Sequence, residues 1–155
     1  MSTEHLRRCL ELAAQALAEG DDPFGSVLAG PDGAVLAEDR NREASSGDPT
    51  AHPELALARW AAEHLSPEVR AVSTVYTSGE HCPMCAAAHG WVGLGPIVYA
   101  ASSAQLAGWR AGWGLPSSPV VTLPIGAVVP GVSVTGPVEP FDEQIRQLHE
   151  RRVQG

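Results

Sequence analysis

Two cysteines stand three apart in "SGEHCPMCAAAHGW", residues 78–91, at Cys82 and Cys85. On the first turn of a helix that spacing puts both sulfurs on one face. It fits a redox dithiol, half of a structural zinc knuckle, or part of a catalytic metal site. No second C-x-x-C exists in the chain, which excludes a four-cysteine knuckle. A catalytic zinc takes about three protein ligands and keeps one position open, so a third ligand must come from another element. His52 is the best placed, thirty residues before Cys82 and also at a helix start with proline next. The positive end of each helix would help keep the thiolates deprotonated. Glu54 stands two residues beyond His52. At an irregular helix start both side chains can face one cavity, where a carboxylate can move a proton from an activated water to a leaving amine.

The elements that must position these groups follow from pattern and punctuation. Residues 4–19 read as an amphipathic helix, with Cys9 a buried apolar position on the stripe Leu6, Leu10, Ala13, Leu17. "FGSVLAG" and "AVLAEDR" flank Pro31-Asp32-Gly33 and predict a hairpin, and "NREASSGDPTA" predicts a polar loop. "HPELALARWAAEHL" predicts a helix with Pro53 in its first turn, stopped by Pro67. "AVSTVYTS" predicts a buried strand, "CPMCAAAHGWVG" a helix, "PIVYAA" a strand and "SSAQLAGWRAG" a short helix. From Leu115 the texture changes: six of the chain's 13 prolines fall between Pro116 and Pro140, around apolar runs such as "PVVTL" and "VSVTG". These read as edge strands and turns, followed by a C-terminal helix in "EPFDEQIRQLHERR". Alternating strand and helix argue for a layered α/β arrangement. The 155 residues suit one domain, 1–155, with a divergent Pro-rich C-terminal third.

Composition removes several classes of function. All ten basic residues are arginine, so Schiff-base lysine chemistry and the P-loop lysine are absent. The net charge of −8 disfavours a nucleic-acid partner, which needs a basic stripe, and favours a small-molecule substrate. No apolar run reaches the length of a membrane span. Three cysteines and no secretion-like segment make a disulfide framework unlikely and a cytoplasmic location the expectation.

H-x-E followed by C-x-x-C is a zinc-deaminase signature, and the sequence resembles the cytidine and deoxycytidylate deaminase superfamily over roughly residues 5–110. Within it the resemblance is to the guanine, yeast-type cytosine and tRNA-adenosine deaminase branch. "DPFGSVLAGPDGAVLAEDRN" resembles that branch's hairpin, "GDPTAHPE" its "DPTAHAE", and "EHCPMCAAAHGWVGLGPIVYA" its cysteine helix and following strand. The resemblance implies a three-layer α/β/α sandwich with a mixed sheet of about five strands and a homodimer. It implies Zn²⁺ held by His52, Cys82 and Cys85, with Glu54 as proton shuttle. Asn41 and Phe24 would be substrate-binding, and the reaction would be hydrolytic deamination of an amino-substituted nucleobase or nucleoside.

The departures concern the substrate. Where relatives have alanine between the histidine and glutamate, Pro53 has no N–H to offer a substrate ring. Its presence implies a substrate whose contact there is absent or supplied otherwise. Where relatives have proline before the first cysteine stands His81, read as a solvent-facing loop residue with a place near the metal as the alternative. His89 reads as an interface or core polar group, Trp91 as a core or dimer contact, and His5, His64 and His149 as surface residues. Trp109 and Trp113 are set apart by one helical turn, a spacing that favours packing over stacking on a flat ring. Arg40 and Arg42 read as a solvated loop pair, with a substrate phosphate as the alternative. Three functions remain: a hydrolytic deaminase, a zinc-stabilised binding module without catalysis, and a thiol–disulfide exchanger. The exchanger leaves His52 and Glu54 coincidental, the binding module leaves Glu54 unexplained, and the acidic charge weakens a tRNA-adenosine deaminase-like activity.

Overall fold

The computed structural model describes residues 1–155. Strand β1 (Gly25–Ala29) is buried along its whole length, and the alternation of its side chains decides what lies on either side. Val27 and Ala29 pack with Leu6, Cys9 and Leu12 of α1 (Thr3–Ala18). Leu28 points the opposite way, to Leu57, Ala58 and Ala61 of α3 (Pro53–His64). Gly25 is where helix and strand meet most closely, since a Cβ there would overlap the Cys9 carbonyl oxygen and Leu12 Cβ. Cys9 is fully buried, as its place on the apolar stripe predicts.

Five strands form one sheet in the order β2-β1-β3-β4-β5, with β2 (Val35–Arg40), β3 (Thr74–Gly79), β4 (Ile97–Ala101) and β5 (Val134–Thr135) joining β1. β1 runs antiparallel to both β2 and β3, while β3, β4 and β5 are parallel. The parallel β3–β4 step requires a crossover, supplied by α5 (Pro83–Val92), which packs against α3. On the other face α8 (Phe141–Gln154) joins α1, burying Ile145 and Leu148 against Ala13 and Ala101. The result is the expected three-layer sandwich with a mixed sheet.

Several local expectations change. The loop after the hairpin holds a one-turn helix, α2 (Glu43–Ser46), anchored where buried Asp21 accepts from the Ser45 amide and hydroxyl, both at 2.7 Å. Pro67 both ends α3 and opens a short α4 (Pro67–Ala71), capped by the Ser66 hydroxyl. "PVVTL" forms no strand; after α6 (Ser103–Gly112) the chain runs irregularly to α7 (Ile125–Val128), and only Val134 and Thr135 pair with the sheet. Trp91 is not a core residue: it is 89% exposed. His149 is not on the surface either, because α8 presses it against the Phe24 ring, centroids 5.0 Å apart. His64 is exposed as expected, while His5 is half-buried, its Nε2 2.8 Å from the Gly33 carbonyl.

Candidate metal centre and active site

Antiparallel pairing of β1 with β2 and β3 brings the ends of β2 and β3 to one end of the sheet. The end of β2 at Arg40 lies opposite Gly25, and Thr77 near the end of β3 lies opposite Ser26. The chain leaving β3 reaches Cys82, the N-cap of α5, and the loop after α2 reaches His52, the N-cap of α3. Both helices begin with proline and neither cap makes a side-chain hydrogen bond, so the His52 and Cys82 side chains are left for each other.

The His52 Nδ1 lies 3.5 Å from the Cys82 Sγ and 3.5 Å from the Cys85 Sγ, and the three ligand atoms fall within 4.8 Å of one another. A tetrahedral zinc takes this donor set at about 2.0–2.3 Å per bond, which fits three atoms so spaced and leaves one position open. The residues present therefore fit the ion. As protein groups alone they behave as a thiolate–imidazolium set. Hydrogen bonds from Cys85 and His52 bring the Cys82 thiol down to about 4, against the cost of burial. The Cys82 and Glu43 contacts raise His52 to about 10. Cys85, donating to Cys82 and buried, is pushed up.

Glu54 is buried on the same cavity, with its Oε1 accepting from the Thr77 hydroxyl at 2.8 Å. Ser26 in turn donates to Thr77 Oγ1 at 2.8 Å, so a buried hydroxyl chain stands behind the carboxyl. Burial raises the Glu54 pKa, while its backbone, Thr77 and the nearby His52 pull it down. A carboxyl on this wall can take a proton from one group and give it to another.

Two groups escaped sequence reasoning. Glu43 lies with its Oε1 3.4 Å from His52 Nε2 and its Oε2 accepting from Asn41 Nδ2 at 2.6 Å. A proton on Nε2 facing this carboxylate leaves the Nδ1 lone pair for a metal, the arrangement that fixes tautomer and ring orientation in metal-ligating histidines. Glu43→Gln is expected to weaken zinc affinity by about 10–100-fold, measured by competition with a chromophoric chelator. Unchanged affinity would remove Glu43 from the site. The other group is Thr77. Its signal, a β-branched hydroxyl on a buried strand, is too common to single out.

The remaining sequence candidates are placed as follows. Asn41, Phe24 and Pro53 all line the cavity of about 740 Å³ that also reaches His52, Glu54 and Cys82. Asn41 is buried and spends its Oδ1 on the Glu43 amide at 3.0 Å and one Nδ2 hydrogen on the Glu43 carboxylate. One donor and one acceptor position are left on it. The Pro-rich stretch supplies part of the wall within the same chain, from Leu115 to Thr122. Trp109 packs on the α1–α8 cluster and lines a small neighbouring cavity of about 20 Å³ beside Phe24 and His149. Burial, helped by Arg110, lowers His149 to about 4, so it is neutral there.

His81 corrects the solvent-facing reading: it is 1% exposed, packs edge-on to His89 at 5.3 Å, and neither ring nitrogen has a protein partner. His81 precedes the first residue of α5 by two positions and packs against His89 of that helix. Burial pushes its pKa well down. His89 is a core polar group, with Nε2 2.8 Å from the Gly95 carbonyl.

The description "cytidine and deoxycytidylate deaminase zinc-binding region" belongs to the family model that matches residues 1–101. The guanine deaminase of Bacillus subtilis (strain 168) is 38% identical over 103 residues, 66% of this chain and 65% of that protein. A tRNA(Ile)-lysidine synthase of Deinococcus deserti is 31% identical over 144 residues, 93% of this chain and 27% of that protein. The matches thus span less than two thirds of the length of these curated relatives. The solved structure of a guanine deaminase from Bacillus subtilis superposes with a TM-score of 0.60 at 31% identity, over 80% of this chain and 83% of that one. No helix is long and apolar enough to cross a membrane. Because the match runs from the first helix to the end of β4 and takes in the whole cluster, the chain belongs to the cytidine and deoxycytidylate deaminase family, whose members carry a zinc-binding region.

Proposed function

We propose that this chain hydrolytically deaminates an amino-substituted nucleobase or nucleoside, replacing the ring amine by a carbonyl and releasing ammonia. The observation that carries the reading is Glu54: a buried carboxyl on the cavity wall that the His52, Cys82 and Cys85 cluster also reaches. A thiol–disulfide exchanger has no use for it, and a binding module without catalysis has no reason to bury it.

Zinc, held by His52, Cys82 and Cys85, would supply the Lewis acid that makes water nucleophilic at neutral pH. Glu54 takes the first proton from the attacking water and hands it to the ring nitrogen. It takes the second from the hydroxyl added to the ring carbon and hands it to the amine nitrogen, which leaves as ammonia. The ring nitrogen keeps its proton, so the product is the carbonyl tautomer and Glu54 ends as it began. Thr77 fixes one oxygen of the carboxyl and leaves the other free for the substrate. Asn41, with one donor and one acceptor uncommitted, is proposed to hold the ring edge, and Phe24 to cover one side of it.

Pro53 offers that ring no amide hydrogen, so a substrate acceptor facing residue 53 stays unpaired. The test is an ammonia-release screen of the zinc-loaded protein across guanine, cytosine, their nucleosides and nucleotides, 1-(carboxymethyl)cytosine and aminotriazines. Pro53→Ala run on the same panel is expected to change the relative turnover of at least one substrate by about tenfold, the worth of one hydrogen bond. Identical profiles would remove residue 53 from substrate choice, and no ammonia from any ring would remove the deaminase reading.

We extend the proposal to a homodimer and to a cytoplasmic setting. Trp91 stands 89% exposed on α5, an aromatic side chain a partner would cover. The Cys82 and Cys85 thiols must stay reduced to hold a metal, which the cytosol favours. Light scattering that reports a monomer would remove the dimer.

A further inference from the structure

Charges on the cavity wall are compensated with one exception. Asp22 pairs with Arg152 at 3.0 Å, Glu43 meets His52 and Asn41, and Glu54 accepts from Thr77. Glu80 accepts the Ser103 and Ile125 amides, both at 2.9 Å. Arg110 is the single arginine on that wall, half-buried, and its guanidinium makes no hydrogen bond and no ion pair. The hydroxyls of Ser103, Ser117 and Thr122 line the same cavity and are likewise uncommitted.

Their position along the cavity is set by α6. Ser103, Leu106, Ala107 and Arg110 recur at helical spacing and all line it, so one face of α6 is its wall. The Ser103 end is tied to Glu80, two residues from Cys82, and therefore lies toward the metal cluster. Arg110 is seven residues further, about 10 Å along the axis at 1.5 Å per residue. Glu54, Asn41 and Arg110 line one and the same cavity, so a ring held between the first two has the α6 wall within its reach. A volume of about 740 Å³ suits a ligand larger than a bare ring.

Resting on the deaminase reading above, we propose that Arg110, with the Ser103, Ser117 and Thr122 hydroxyls, forms a subsite for an anionic arm on the substrate. The preferred substrate is then an amino-substituted ring carrying a phosphate or a carboxylate, not the free base. A guanidinium makes paired, charge-assisted hydrogen bonds to either group, and a partly enclosed wall strengthens them.

The experiment compares equilibrium binding of cytidine, CMP and 1-(carboxymethyl)cytosine, and of guanosine and GMP, to the zinc-loaded Glu54→Gln protein, which binds without consuming them. One or both anionic series should bind at least tenfold more tightly than the neutral ring, and which one does identifies the arm. Arg110→Ala should cut that anionic-to-neutral ratio by tenfold or more, with Arg110→Lys restoring part of it. The ratio is internal to each variant, so it is independent of how much of the protein is folded. Equal binding of charged and neutral ligands, or a ratio unmoved by Arg110→Ala, overturns the subsite while leaving the deaminase reading intact. If the wild type releases no ammonia from any ring, the deaminase reading falls by itself. Phosphorus NMR titration with pyrophosphate, lost in Arg110→Ala, would then still uphold the anion site, and its absence would overturn that too.

Discussion

Glu54→Gln is expected to lower ammonia release by about 10³-fold, within the range ascribed to a positioned acid–base group, while zinc remains bound at one per chain. The amide has the shape of the carboxyl it replaces, and its oxygen can still accept from the Thr77 hydroxyl, 2.8 Å from Glu54 Oε1 in the native chain. The hydroxyl chain through Ser26 therefore stays in place. What is lost is the exchangeable proton. Burial pushes the carboxyl toward its neutral form, and a carboxyl can give a proton and take one back; an amide can do neither. Glu54 is not among the three groups whose ligand atoms converge, so metal content should not change. Stopped-time ammonia assays with metal analysis on the same sample decide it. Full ammonia release would end the proposed role of Glu54, and loss of zinc in parallel would place Glu54 with the ligands.

Sequence made the inner site legible because it is written in local chemistry. His52 and Cys82 each precede a proline that opens a helix, and such N-caps end in fixed places with their side chains free. The strands were legible for a related reason: β1, β3 and β4 are central, buried on both sides, and so read as short apolar runs. Groups whose role depends on where two distant segments meet were not legible. Glu43 meets His52 from a one-turn helix that Asp21 anchors through Ser45. That anchor joins residues 24 apart and has no periodic signal. His81 was misplaced because polar loop residues are usually exposed; its burial comes with a packing contact to His89, eight residues on, that no local pattern announces. His149 was misplaced for the same kind of reason, since the polar-looking α8 carries a buried stripe of Phe141, Ile145, Leu148 and His149. The Pro-rich stretch shows the limit most clearly. Residues 115–122 form a wall with no strand or helix of their own, and only their end points on α6 and α7 say where they go.

Removing the metal, by chelation or through His52→Ala or Cys85→Ser, is expected to end ammonia release and to lower the thermal midpoint by about 10 °C. The ends of α3 and α5 meet at His52, Cys82 and Cys85, and neither helix start has a side-chain cap of its own. An ion bound only by the folded chain stabilises it by about 4 kcal/mol when present a thousandfold above its Kd. At 2–4 °C per kcal/mol for a chain of this size, that is a shift of about 8–16 °C. The sheet should survive the loss, because the cluster joining Leu6, Cys9 and Leu12 to Val27, Tyr76 and Val98 lies on the face away from α3 and α5. Far-UV circular dichroism should therefore keep its native shape at low temperature. The two variants should differ from Glu54→Gln in a telling way: they lose zinc, midpoint and activity together, whereas Glu54→Gln loses activity alone. A chelated protein that kept both its midpoint and its ammonia release would refute the metal centre. One that kept its midpoint but lost activity would show that the ion serves chemistry without holding α3 to α5.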